Sequence, residues 1–141
     1  MYTGLLKAPE EGITHLFYHC CMKDGTFKES ELSIISDKLV SIDLQKKLNF
    51  KDEMKKYKSY RDTITDEDMY LQYLIGIIKP ANPLALFSWC VELCAGDGDI
   101  SPEEAALLTR IARQLNIGDQ EQDLLQRLMV QRNKVSVEKI F

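Results

Sequence analysis

Residues 84–117 read LALFSWCVELCAGDGDISPEEAALLTRIARQLNI, a pattern typical of two helices joined by a glycine-containing turn. Its first part, residues 84–95, carries apolar side chains on almost every side of a helix, which is typical of a helix at the centre of a bundle. The Asn-Pro pair at residues 82–83 is a typical helix start, and the turn at residues 96–99 contains two glycines that tolerate positive φ. Residues 101–104, Ser-Pro-Glu-Glu, have the spacing of a capping box, so a second helix is predicted to begin there.

Helical periodicity extends to both sides of this stretch, and no segment shows the alternating pattern of a strand pair. Further helices are predicted over residues 13–20, 32–39, 69–78 and 120–132, with a short last helix that begins at Ser136. The composition, 45% hydrophobic and 28% charged with a net charge of -4, fits one ordinary domain. The prediction is therefore an all-α fold, a compact bundle of about seven helices that forms a single domain over the whole chain.

The two halves of the chain are similar in sequence. A shift of 73 residues places four residues of the first half on identical residues of the second: Cys21 on Cys94, Asp24 on Asp97, Gly25 on Gly98 and Glu31 on Glu104. Both copies consist of an apolar helix, an Asp-Gly turn and a second helix that begins just after the turn. Because a helical hairpin cannot bury its apolar face alone, the two copies are expected to pack about a pseudo-twofold axis and complete one core.

Residues 84–117 resemble the signature of the tellurite-resistance TerB-like family, in which an apolar helix is followed by the pattern A-DG-x-[IV]-[ST]-x-x-E. Residues 16–40, LFYHCCMKDGTFKESELSIISDKLV, resemble the family's weaker first copy. The family is related to the N-terminal module of the DjlA membrane co-chaperone, but the sequence has no His-Pro-Asp motif and no terminal membrane helix, so that role is not carried over. The resemblance implies a compact helical domain with an acidic surface, proposed to bind metal ions or to act as an interaction module in stress responses. It brings no catalytic residues.

Carboxylates cluster around the two Asp-Gly turns and are the leading candidates for a metal site. The candidate ligands are Asp24, Glu31, Asp97, Asp99, Glu103 and Glu104. Oxygen-rich clusters suit Ca²⁺ or Mg²⁺. The pattern is not an EF-hand, because Leu108 stands at the twelfth position counted from Asp97, where a bidentate Glu is required. The alternatives are that these acids contact a basic partner, or that they cap helices and complement the helix dipole, each contributing about 0.3–1 kcal/mol.

His15 and His19 lie one helical turn apart and form an alternative metal site, with Glu92 as the third ligand. Glu92 aligns with His19 in the repeat, so the pseudo-twofold axis could bring the two side chains together. Such a site would make the protein a metal-dependent hydrolase that uses zinc, although the His-x-x-x-His spacing lacks the intervening Glu of a metalloprotease. Helical geometry places both histidines opposite Leu16 and Phe17 and therefore predicts that they are exposed to solvent.

The four cysteines all lie within apolar runs, at Cys20, Cys21, Cys90 and Cys94. No basic start followed by an apolar run marks an export signal, so the thiols are expected to stay reduced in a cytoplasmic protein. Without Cys-x-x-Cys spacing, a zinc site of four thiolates is not favoured. The longest apolar stretch, residues 84–95, falls short of the roughly 20 residues that a membrane span needs.

Residues 46–61 differ from the rest of the chain in charge, since seven Lys or Arg accompany only Asp52 and Glu53 and give a net charge of +5. The segment is predicted to be a solvated helix or a long connection. Its lysines are candidates for binding a partner: Lys51, Lys55, Lys56 and Lys58. Lysines with aromatic neighbours can contact phosphate, but the rest of the chain carries about -9 and repels a polyanion. A protein partner is therefore expected, and no nucleic acid.

Familiar catalytic patterns are missing from the sequence. It contains no Ser-His-Asp arrangement, nucleophile elbow, Walker loop or dinucleotide fingerprint. The one close glycine pair, Gly96 and Gly98, lacks the third glycine and the preceding strand of a nucleotide-binding loop. The sequence therefore predicts a non-catalytic stress-response or scaffold domain.

Overall fold

The structure, a computed structural model, describes residues 2–23, 48–95 and 100–134. Seven α-helices account for most of these residues. They are α1 (Tyr2–Leu5), α2 (Pro9–Cys21), α3 (Phe50–Tyr60), α4 (Glu67–Ile78), α5 (Pro83–Cys94), α6 (Pro102–Gln114) and α7 (Asp119–Lys134), and a short 3-10 helix (Arg61–Thr63) follows α3. No strand occurs in the described ranges, so the prediction of an all-α fold is confirmed. Among these helices, none has both the length and the apolar character needed to cross a membrane.

Local capping signals explain where the helices begin and end. The Asp66 carboxylate accepts a hydrogen bond from the backbone N–H of Met69 at 3.1 Å and caps α4. At the start of α6, Ser101 Oγ accepts from the N–H of Glu104 at 3.1 Å, and the Glu104 carboxylate accepts from the N–H of Ser101 at 2.9 Å. After α6, Asn116 has a φ of 58°, the left-handed conformation that commonly ends a helix. The predicted capping box of Ser101 and Glu104 is confirmed.

Helix α2 lies at the centre of the bundle and packs against α3, α4 and α5. Every residue from Thr14 to Cys21 is buried, so α2 is covered on all sides. Helix α6 packs against α4 and α5, and α7 packs against α5. Helix α5, predicted to be central, is less completely covered than α2, because Leu84 is 45% exposed and Trp89 is only partly buried against Phe17.

Helix α3 has one buried face, which corrects the prediction that residues 46–61 form a solvated helix or a long connection. Glu53, Tyr57 and Tyr60 recur at helical spacing and are all buried. They face α2, the helix against which α3 packs. The high charge of the segment comes from its outer face, so its average composition conceals a face that belongs to the core.

The internal repeat remains a prediction. Its second copy is described as α5 and α6, whereas the first copy is described only as α2, and both Asp-Gly turns lie outside the described residues. The same holds for the helix predicted over residues 32–39 and for the one predicted to begin at Ser136. The leading helices of the two copies do pack against each other, and the Cys94 thiol donates a long hydrogen bond to the Cys20 carbonyl oxygen at 3.9 Å.

Gly12 permits the close approach of α2 and α4. A Cβ at this position would lie 2.8 Å from Ile78 Cγ1 and 2.9 Å from Ile77 Cγ1. We expect Gly12→Ala to lower the free energy of unfolding by about 1 kcal/mol, because the overpacking outweighs the better helix propensity of alanine. Urea denaturation is the measurement.

Gly76→Ala in α4 is the matched control for Gly12→Ala. No described atom lies within 4 Å of a Cβ built at Gly76, so alanine is expected to stabilise the helix there by about 0.5–1 kcal/mol. Equal effects of the two substitutions would show that the contact between α2 and α4 does not depend on a glycine at position 12.

Candidate functional site

An array of buried polar side chains lies between α2, α3 and α4. His15 is fully buried and His19 is 6% exposed, so the prediction that both histidines face solvent is wrong. The physical reason is that α3 and α4 cover the side of α2 that lies opposite its apolar residues. Four of the largest fully buried side chains in the described part of the chain are tyrosines, Tyr18, Tyr57, Tyr60 and Tyr70.

His15 lies at the centre of the first hydrogen-bonded chain. Its Nε2 lies 2.9 Å from Glu53 Oε1, and its Nδ1 lies 2.7 Å from the hydroxyl of Tyr60. The hydroxyl of Tyr60 lies 2.6 Å from that of Tyr70. On the outer side, the ammonium of Lys56 lies 3.1 Å from the second oxygen of Glu53. One continuous chain thus runs from α3, through α2, back to α3 and on to α4.

The donors in this chain all point one way. The Glu53 carboxylate, paired with Lys56, can only accept, so His15 Nε2 carries the hydrogen and donates it. His15 Nδ1 then accepts from the Tyr60 hydroxyl. Because this hydroxyl has only one proton to donate, the Tyr70 hydroxyl is the donor in its contact with the Tyr60 oxygen. Burial lowers the pKa of His15, and the hydrogen bond to Glu53 offsets this only in part, so the imidazole is neutral at pH 7.

His19 repeats the same arrangement one helical turn later. Its Nδ1 lies 2.8 Å from the hydroxyl of Tyr57, and its Nε2 lies 2.9 Å from Glu67 Oε2. The ammonium of Lys23 also contacts Glu67 Oε2, and Arg110 Nε lies 3.4 Å from the other oxygen. Glu67 is therefore contacted by three cationic or hydrogen-bonding side chains: His19 of α2, Lys23 just after α2, and Arg110 of α6.

Burial and pairing shift the pKa values of this second cluster in definite directions. Burial lowers the pKa of His19, and Glu67 opposes the shift only in part. Burial of Glu67 opposes its ionisation, but hydrogen bonds from His19 and Lys23 outweigh it and lower the pKa of this carboxyl to about 2. Burial raises the pKa of Tyr57, so the phenol stays protonated and donates to the neutral imidazole.

A cavity of about 270 Å³ opens beside His19. Charged and polar side chains form much of its wall, among them His19, Lys23, Tyr57, Arg61, Asp62 and Glu67. The guanidinium of Arg61 donates to the carbonyl oxygen of Met22 at 2.7 Å and ties the end of α3 to the end of α2. The hydrogen-bonded side chains around His19 therefore reach a space that can hold water, at the place where α2, α3 and α4 meet.

Most of the predicted acidic site lies outside the described residues. Asp24, Glu31, Asp97 and Asp99 fall there, so cation binding at the Asp-Gly turns stays a prediction. Glu103 is exposed at the start of α6. Glu104 is 7% exposed and completes the capping box with Ser101, which is the helix-capping role considered as the alternative.

The alternative metal site is not assembled as predicted. His15 and His19 use their nitrogens on tyrosine and glutamate side chains from α3 and α4, and neither imidazole is hydrogen-bonded to Glu92. Among residues 2–23, 48–95 and 100–134, no group of three or more His, Cys, Asp or Glu side chains is placed to hold a metal ion. The four cysteines are buried free thiols, and the hydrogen bond to Cys90 together with burial raises the pKa of Cys20.

The four candidate lysines of α3 divide into two groups. Lys51, Lys55 and Lys58 are exposed on the outer face of the helix. Lys56 turns toward α2, where it pairs with Glu53 at 3.1 Å and with Glu11 at 3.5 Å. Lys51, Lys55 and Lys58 therefore face solvent, whereas Lys56 belongs to the series of hydrogen-bonded side chains that contains His15.

The partners of the two histidines were not recognised in the sequence. Glu53, Tyr57 and Tyr60 stand at positions i, i+4 and i+7 of one helix, and that spacing is the signal that could have identified them. Glu67 gives no such signal, because an acid at the first position of a helix is also what the helix dipole favours. Only the tertiary structure shows that it faces His19.

Comparison with known proteins identifies the family. No curated protein and no solved structure matches the chain. The model of the family described as tellurite resistance protein TerB matches residues 10–127, which is most of the chain and takes in α2 to α6 together with the first half of α7. The resemblance noted in the sequence is thereby confirmed, and the chain belongs to the TerB family.

Proposed function

We propose that this TerB-family chain is a non-catalytic interaction domain that binds an acidic protein partner through the outer face of α3. The observation that carries the proposal is the lysine stripe, defined as Lys51, Lys55 and Lys58, which lies exposed on a helix whose opposite face is buried. At about 100° per residue, the three lysines fall within about 60° of one another. Glu53 and Tyr60 fall on the far side.

The buried face of α3 holds the stripe in a fixed position. Glu53 and Tyr60 bond to His15, and Tyr57 bonds to His19, so both ends of the helix are fastened to α2. A partner that binds a helix already fixed in place does not have to order it, and this lowers the entropic cost of association. In the described part of the chain, the three amines of the stripe have no ion-pair partner, whereas Lys56 has two.

Charge favours an acidic protein over a nucleic acid. The segment 46–61 carries +5 on a chain of net charge -4, so the stripe is a local basic surface on an acidic molecule. A short acidic segment of a partner is attracted at contact distance, within the Debye length of about 10 Å. A long polyanion would also meet the repulsion of the remaining surface.

The state of the buried groups supports a non-catalytic role. Both nitrogens of His15 and of His19 are hydrogen-bonded within the core. Burial raises the pKa of Tyr57 and of Tyr60, which disfavours the phenolate forms that would act as nucleophiles. These features support a structural use of the histidines, which is to fasten α3.

Reversing the charge of the stripe tests the proposal. The probe is a short synthetic peptide rich in Glu and Asp, and binding is followed by NMR chemical shifts and by calorimetry at low and high salt. We expect the wild type to bind in a salt-sensitive way with shift changes confined to α3. The variant Lys51→Glu/Lys55→Glu/Lys58→Glu is expected to bind about tenfold more weakly or worse, because each exposed pair is worth about 0.2–1 kcal/mol.

A control with the same change in net charge separates the stripe from general charge. Lys7→Glu/Arg113→Glu/Arg127→Glu alters three exposed cations that lie outside α3, and it is expected to bind the peptide within about twofold of wild type. Equal loss in both variants, or tighter binding of an RNA oligonucleotide than of the acidic peptide, would contradict the proposal. Lys56 is left unchanged because it pairs with Glu53 inside the fold.

A further inference from the structure

The two buried histidines differ in what lies beyond them, and from this difference we infer that His19 is an acid-sensing residue whose protonation loosens the C-terminal end of α3. The consequence for the lysine stripe rests on the proposed function. His15 is fully buried, and both of its nitrogens are hydrogen-bonded to buried side chains. His19 instead borders the cavity of about 270 Å³, through which a proton can arrive with water.

Protonation reverses one hydrogen bond at each histidine. A charged imidazole donates from both nitrogens, so Nδ1 can no longer accept from a tyrosine and must donate to its oxygen. At His19, the displaced hydroxyl proton of Tyr57 can turn toward the cavity that Tyr57 itself lines. At His15, Tyr60 would have to donate to Tyr70, and the Tyr70 hydroxyl then has no acceptor among the described residues. A buried donor without an acceptor is costly, so His19 is the residue that takes up the proton.

The charged groups around His19 decide which contacts its protonation strengthens. Glu67 of α4 faces Nε2 and attracts the imidazolium, and Arg110 of α6 contacts the same carboxylate. Lys23, at the end of α2, and Arg61, at the end of α3, face it as like charges. Tyr57 and Tyr70 face it as rings, with Tyr70 at a centroid distance of 5.1 Å and Tyr57 at 6.0 Å.

Proton uptake by His19 therefore strengthens the contact between α2 and α4 and weakens the contact between α2 and the C-terminal end of α3. The contact between His19 and Glu67 becomes a full ion pair, which holds α2 against α4. The end of α3 meets a new positive charge beside Arg61, the residue that ties α3 to the Met22 carbonyl oxygen. The hydrogen bond between Tyr57 and the imidazole is also reversed, so the Tyr57 hydroxyl proton must find a new acceptor in the cavity. The bonds of His15 to Glu53 and Tyr60 do not involve His19 and are kept.

The experiment uses the fact that the chain has two histidines in all. Imidazole ¹⁵N shifts report the tautomer and protonation of each ring, and amide hydrogen exchange reports local opening. As the pH is lowered below 6.5, the ordinary histidine value, we expect His19 to pass from the Nε2–H tautomer to the charged form before His15 does. After correction for intrinsic exchange, amides of residues 57–61 should exchange about tenfold faster, whereas those of α5 and α6 should not change.

Two matched variants assign the effect. His19→Gln keeps an acceptor for Tyr57 and a donor for Glu67 but cannot take up a proton, so it is expected to abolish the pH dependence of exchange in residues 57–61. His15→Gln is expected to retain it. The inference is overturned if His15→Gln removes the effect, if His19→Gln leaves it unchanged, or if all helices open together. Should His19→Gln fail to fold, a wild-type His19 that titrates without faster exchange at residues 57–61 overturns it equally.

Peptide binding separates this inference from the proposed function. Wild-type protein is expected to bind the acidic peptide more weakly at about pH 5 than at about pH 7, whereas His19→Gln should bind equally at both. Absence of peptide binding at either pH would contradict the proposed function. It would leave the exchange result, which involves no peptide, as the test of His19.

Discussion

Replacement of His15 by leucine is expected to lower the free energy of unfolding by about 3–5 kcal/mol, because two buried groups lose their hydrogen-bond partner, at about 1–3 kcal/mol each and more for a charged group. The side chain of Glu53 is only 5% exposed, and in the variant its carboxylate loses the hydrogen bond at 2.9 Å that now satisfies it. The Tyr60 hydroxyl loses its acceptor at the same time. Urea denaturation followed by circular dichroism measures the change.

A double substitution tests the reason for this loss. In His15→Leu/Glu53→Leu both partners are apolar, so no buried carboxylate is left without its donor. The double variant is expected to be at least about 2 kcal/mol more stable than the sum of the two single losses would predict. The reason is that a buried polar group left without its partner costs more than a complete pair or an apolar replacement of both partners. Lys56 keeps Glu11 as a partner in this variant. Additive effects would show that the two side chains are not coupled.

Thr14→Val provides the control for a buried polar group outside the network. Thr14 is fully buried, and its hydroxyl donates to the carbonyl oxygen of Glu10 within the same helix at 2.9 Å. Loss of that bond is expected to cost about 1 kcal/mol. If His15→Leu costs no more than Thr14→Val, the hydrogen-bonded side chains from Lys56 to Tyr70 do not stabilise the fold beyond the contribution of one ordinary hydrogen bond.

The second half of the fold could be predicted because its signals are local. Asp66 caps α4, and Ser101 and Glu104 form the capping box of α6, within three residues of the amides they satisfy. Such contacts depend only on the spacing along the chain. The helix period is also a local signal, and together with the family resemblance it predicts the all-α fold.

The candidate site could not be predicted because its contacts are distant in sequence. His15 and Glu53 are separated by 38 residues, and His19 and Glu67 by 48. A helical wheel distinguishes an apolar face from a polar one, but it does not show whether a polar face meets water or a second helix that carries matching donors and acceptors. The sequence therefore predicts exposed histidines and does not distinguish Lys56 from the exposed lysines of α3.

Acidification is expected to destabilise the protein in two stages. The pKa of both histidines is lowered by burial, so the unfolded chain binds protons that the folded chain does not, and stability declines as the pH falls below 6.5, the ordinary histidine value. The pKa of Glu67 is lowered from 4.5 to about 2. Its contribution is complete above pH 4.5, amounts to about 3 kcal/mol, and is lost as the pH falls toward about 2. Thermal or urea unfolding across this range measures both stages.

Glu67→Gln should remove the second stage while the first remains. Glutamine cannot ionise, so the variant is expected to be less stable than wild type at neutral pH, and the difference should shrink as the pH falls from 4.5 to about 2. Asp62→Asn removes a charge from an exposed residue of the same cavity wall and should leave the wild-type profile in place. A profile of Glu67→Gln parallel to that of wild type below pH 4.5 would mean that His19 and Lys23 do not hold Glu67 in its ionised form. The second stage would then have to come from other carboxylates.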